Sequence, residues 1–107
     1  MTREEFNERL KNGTLIVRVL SRATGEYIVN ECIKNGQYNE KAQMEPTDFH
    51  AFPYFYIHKG FNELDGALTE HIARNFSKPG AVVIQEKDIE FSFCNTEKEE
   101  KLEEREE

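Results

Sequence analysis

Five side chains in this sequence are of types that hold metal ions or pair as nucleophile and base: His50, His58, His71, Cys32 and Cys94. A zinc site takes its ligands in Cys or His pairs a few residues apart. The nearest two here, His50 and His58, are eight apart, so no metal ligand set is read from them. Cys32 and Cys94 both fall in apolar runs, where burial disfavours the thiolate a nucleophile needs. They read as two buried thiols of a reducing compartment. His58 and His71 have Glu63, Asp65 and Glu70 nearby in sequence, a pairing that general base chemistry can use. The same residues also suit a wet boundary, and no catalytic residue is assigned. Neither Gly25 nor Gly36 opens a phosphate-binding loop, so no cofactor is expected.

The aromatic run Phe49, Phe52, Tyr54, Phe55 and Tyr56 has the residue types of a base-stacking platform. Such platforms also need a basic groove, and only Lys59 lies close by. The formal charge is −7, which opposes phosphate binding and favours encounter with basic partners. Residues 95–107 hold seven acids and three bases, a net of −4 that leaves −3 for residues 1–94. The expectation is one domain over residues 1–94 and a charged acidic tail over 95–107, helical or disordered. No run approaches the ~18 apolar residues of a membrane span, and no apolar leader follows the first residues; the expected location is the cytoplasm.

The elements that must position these residues are read from periodicity. Thr2 and Glu5 fit a capping box, Phe6 and Leu10 share one helical face, and Asn12-Gly13 provides a stop. Residues 14–20 (TLIVRVL) alternate as a strand. Residues 21–25 (SRATG) read as a turn and 26–33 (EYIVNECI) as a returning strand, making a hairpin. Residues 34–48 are polar, contain Tyr38 and Glu45, and form a contact loop. Residues 54–59 read as a strand with Phe55 and Ile57 inward and Tyr54, Tyr56 and His58 on the other face. Leu64, Leu68, Ile72 and Phe76 recur every four residues and predict a helix over 62–76. Residues 81–85 and 89–93 complete the set as strands.

The predicted fold is α+β: a mostly antiparallel sheet of about five strands with two helices on one face and an acidic C-terminal tail. The bare sheet face then points to partner binding through Tyr54, Tyr56, His58, Tyr38 and Glu45. The functional expectation is a small acidic, non-enzymatic binding protein. Its concrete form is an inhibitor that occludes a basic or nucleic-acid-binding protein, as phage anti-defence and anti-CRISPR proteins do. Two alternatives stand beside it: a small enzyme or small-molecule binder using the His58/Tyr54/Tyr56 face, and a homo-oligomeric module, with a homodimer as its simplest form.

Overall fold

The computed structural model describes residues 1–91; Cys94, Phe93 and the predicted tail over 95–107 lie outside the described residues. The order of elements is α1 (Arg3–Asn12), β1 (Leu15–Arg18), α2 (Arg22–Lys34), a 3-10 turn (Pro46–His50), β2 (Tyr54–His58), β3 (Glu63–Ala67), α3 (Glu70–Phe76), β4 (Val82–Gln85) and a last 3-10 turn (Glu86–Asp88). The four strands form one sheet in the order β3-β2-β1-β4. β2 is antiparallel to both β1 and β3, with Val17 opposite Phe55 and Ile57 opposite Leu64. β4 runs parallel to β1, with Ile16 opposite Val83. The fold is α+β, as expected, but among the described residues it has three helices and a mixed four-stranded sheet.

α1 follows its sequence closely. Thr2 Oγ1 accepts from the Glu5 N–H at 3.2 Å, which satisfies one of the N–H groups left open at a helix start. Gly13 closes the helix in the left-handed conformation, φ 79°, which costs a residue without Cβ little. Phe6 and Leu10 point into the core and are fully buried.

α2 corrects the predicted hairpin. Ser21 is an N-cap whose hydroxyl accepts from Thr24 N–H at 3.4 Å, so residues 21–25 begin a helix instead of a turn. Thr24, Gly25, Ile28, Val29 and Cys32 are the buried positions, a helical spacing hidden under the β-branched composition of the segment. Tyr27 is half-buried and Ile33 exposed. Gly25 sits against the Pro46 backbone, which is how α2 and the Pro46–His50 turn approach so closely.

The predicted helix over 62–76 is also corrected. Its first part is β3, and α3 starts only at Glu70. Asn62 takes a left-handed φ of 54° and its N–H donates to the His58 carbonyl at 2.7 Å, turning the chain back along β2. Thr69 then caps α3, accepting from Ile72 N–H at 3.2 Å. Gly66, a weak helix former, lies in the strand. The predicted strand over 89–93 does not form in its described part, since residues 89–91 follow the last 3-10 turn without strand pairing. Instead Phe91 packs edge-on against Phe6 and Tyr27, with ring centroids 5.6 Å away in each case.

The helices divide between the two sheet faces, so the expectation of both on one face is corrected too. Phe6 and Leu10 of α1 and Ile28, Val29 and Cys32 of α2 join Leu15, Val17, Phe55, Ile57, Leu64 and Ile84 in the main core. On the opposite face Ala73 of α3 covers Ile16, Tyr56 and Ala67. That second face is only partly roofed, because α3 has seven residues.

Cys32 belongs to the main core, and burial, with a smaller contribution from Glu31, pushes its thiol up to about 12. The folded chain therefore keeps a proton that an unfolded Cys loses near pH 9. This contribution is fully present below about pH 9 and is lost as pH rises toward 12, at up to ~1.4 kcal/mol per pH unit. Urea unfolding between pH 7 and 10 is expected to show stability falling above pH 9, and Cys32→Ala to flatten that slope. An unchanged slope in the variant contradicts this account.

Candidate functional site

The feature that stands out on the partly roofed face is a ledge of three rings in contact. His58 is the last residue of β2, and its side chain lies on the α3 side of the sheet, as strand alternation predicted. Lys59 N–H donates to the Phe76 carbonyl at 2.8 Å, which ties the end of α3 to the start of the β2–β3 turn. The Phe76 ring consequently stacks on the imidazole, 5.3 Å between centroids and 23° between planes. Phe61, in the turn, covers His58 at 4.7 Å and 39°. Gly60 N–H donates to His58 Nδ1 at 3.0 Å, which fixes the ring's orientation and places the proton of the neutral imidazole on Nε2.

Phe61 and Phe76 are open to solvent, and His58 is half-buried. Phe61 is 71% exposed and Phe76 43%. Ile72, one turn before Phe76 on α3 and so its neighbour on that face, is 39% exposed, and Leu68 ahead of the helix is 61% exposed. The period-four series from the sequence thus has a different meaning from the one predicted. Leu64 belongs to a strand and is core, whereas Leu68, Ile72 and Phe76 face outward. Isolated exposed apolar residues are ordinary, but a contiguous aromatic ledge is the usual mark of an interaction surface.

The structure separates the five predicted partner-binding residues. Tyr54, Tyr56 and His58 share the α3 face of β2. Tyr54 is half-buried and His58 joins the ledge. Tyr56 is only 2% exposed and its hydroxyl donates to Asp65 Oδ2 at 3.3 Å. Burial, and then the charge and hydrogen bond of Asp65, raise its phenol above the ordinary range. Tyr38 packs on the core of the other face; its hydroxyl donates to the Met44 carbonyl at 2.7 Å. Glu45 is exposed and caps the Pro46–His50 turn. Tyr38 and Glu45 are thus close to each other but do not join the ledge. Sequence reading missed Phe61 and Phe76 as surface groups; their signal was an apolar series that does not begin at a helix start.

An open cleft of about 360 Å³ runs beside the outer edge of β3, lined by Ala42, Met44, Asp48, Phe52, Leu64, Asp65 and Gly66. Its carboxylates already serve the fold: Asp48 Oδ2 accepts from Glu45 N–H and Asp65 Oδ1 from Gly66 N–H. Neither His58 nor His71 lines it. Among the described residues no three His, Cys, Asp or Glu side chains come together to hold a metal ion, and no helix is long and apolar enough to cross a membrane. No protein-family model matches the chain, and neither a curated protein nor a solved structure matches it.

Proposed function

We propose that this chain is a non-enzymatic binding protein that docks a basic protein through the ledge of Phe61, His58, Phe76 and Ile72. The observation that carries the reading is the pair of exposed rings, Phe61 and Phe76, packed on a half-buried His58 and held by the Lys59 and Gly60 N–H groups that follow it. Rigid aromatic groups give large contact area for little ordering cost, and such residues dominate measured interface energies. The formal charge of −7 supports the basic character of the partner, since opposite charge speeds encounter and suppresses wrong partners. A partner that handles nucleic acid fits this chemistry, and an acidic body seated on it would occupy the ground meant for phosphates. Inhibition by occlusion is the functional consequence.

The test compares wild type with Phe61→Ala/Phe76→Ala in affinity capture from host lysate, followed by titration of each purified captured protein at two salt concentrations. Loss of two anchor rings is expected to weaken the specific complex by about 30-fold or more, and added salt to slow its formation. Circular dichroism should be unchanged, because both rings are exposed. If the double variant binds the same proteins with equal affinity, the ledge is not the docking surface.

A further inference from the structure

The two edges of the sheet are built differently, and the difference points to a second copy of this chain. At the β3 edge the outward N–H groups are taken: Leu64 N–H donates to the Gln37 carbonyl and Gly66 N–H to Asp65 Oδ1, both at 2.8 Å. Natural sheets close their edges in such ways to prevent unwanted pairing. The β4 edge is closed only at its end, where Gln85 N–H donates to Asp88 Oδ2 at 3.0 Å. Val82 N–H donates to the Thr14 carbonyl at 3.0 Å; by the alternation of a parallel ladder, Val82 and Ile84 bond inward to β1. Val83 therefore turns both its N–H and its carbonyl outward, and among the described residues none bonds to either. β4 also has no lysine, proline or bulge to discourage pairing.

We propose that the chain self-associates by antiparallel pairing of β4 with β4 of a second copy, across a two-fold axis at Val83. A residue that presents N–H and carbonyl together can pair reciprocally with its own copy, which is the self-complementarity a two-fold interface needs. Charge fits the same arrangement. Lys78 precedes β4, and Glu86, Lys87 and Asp88, a net of −1, follow it; antiparallel pairing about Val83 brings Lys78 of each copy opposite Asp88 of the other, whereas parallel pairing would set like charges together. The pairing is independent of the ledge, since β4 lies at the β1 side of the sheet and the ledge is built on β2 and α3.

A four-residue strand makes a small interface, so a dissociation constant on the order of 100 µM is expected. The experiment is sedimentation equilibrium on the full chain from about 10 µM to about 1 mM, a span that brackets that estimate, with amide exchange of Val83 followed by NMR. Average mass should rise from one chain toward two, and Val83 exchange should slow with concentration. Val83→Pro removes the outward N–H without touching a bond to β1. Val83 is half-buried against the Ile16/Tyr56 cluster, and a lysine can keep its stem there while its ammonium reaches solvent, so Val83→Lys keeps the backbone bonds and sets two like charges close together at the axis. Each is expected to weaken association at least tenfold with an unchanged circular dichroism spectrum, and Val83→Lys decides the matter if the proline variant does not fold. A monomer throughout the range, or a dimer that the folded variants leave unmoved, overturns the proposal.

Discussion

Gly25→Ala is expected to lower the unfolding free energy by about 3 kcal/mol, although it replaces a poor helix former with the best one. In an exposed helix interior the same change gains about 1 kcal/mol. Here a Cβ would overlap the Pro46 carbonyl oxygen and lie 3.0 Å from its carbon. That oxygen belongs to backbone at the start of a 3-10 turn, not to a side chain that can swing away. The overlap can be relieved only by moving α2 off the turn, which loosens the packing of Ile28, Val29 and Cys32. Gly36→Ala is the informative comparison. Gly36 has φ +72° and nothing within 4 Å of a built Cβ, so its cost is backbone strain alone, about 1 kcal/mol. Urea unfolding of the two variants separates the mechanisms: equal losses would mean that close approach at Pro46 contributes nothing beyond a generic glycine effect.

The same residue shows why part of the fold was hard to read in sequence. Where one signal dominates, as in α1 with its Thr2 cap, its Phe6/Leu10 pair and its Gly13 stop, the expected helix is the observed one. Strands β1, β2 and β4 fall inside the predicted ones because alternation and β-branching agree there. In α2 the signals conflict. Ile28, Val29 and Ile33 are β-branched and Gly25 suggests a turn, yet tertiary packing of the 25/28/29/32 face outweighs a propensity difference of under 1 kcal/mol per residue. In residues 62–76 a buried strand residue, Leu64, and three outward-facing residues, Leu68, Ile72 and Phe76, happen to fall in one period-four series. Only Gly66 and the cap at Thr69 mark the joint. The ledge was half legible: alternation placed His58 on the correct face, but Phe61 and Phe76 meet it only because α3 is short and folds back over β2.

Tyr56→Ala is expected to cost 3–5 kcal/mol, in the range for truncating a large buried aromatic side chain. The ring fills the space between Ile16, Ala67 and Ala73, and those neighbours, being small or fixed by the sheet and α3, cannot close the gap. Tyr56→Phe should cost about 1 kcal/mol, the value of one modest hydrogen bond, because the hydroxyl loses only its 3.3 Å bond to Asp65. The fold dependence on pH follows from the same environment. The raised phenol keeps its proton in the folded state after the unfolded chain begins to ionise near pH 10, so this part of the stability is present below pH 10 and declines above it; Tyr56→Phe should remove that part of the decline. The pair of variants also separates stability from recognition. The phenylalanine variant keeps the ring that supports β2 beneath His58 and leaves the exposed rings of Phe61 and Phe76 in place, so its partner affinity should match that of wild type. A large loss of binding in Tyr56→Phe at full stability would require the hydroxyl itself to meet the partner. The docking surface would then lie on the sheet below α3, reached only if that seven-residue helix lifts away.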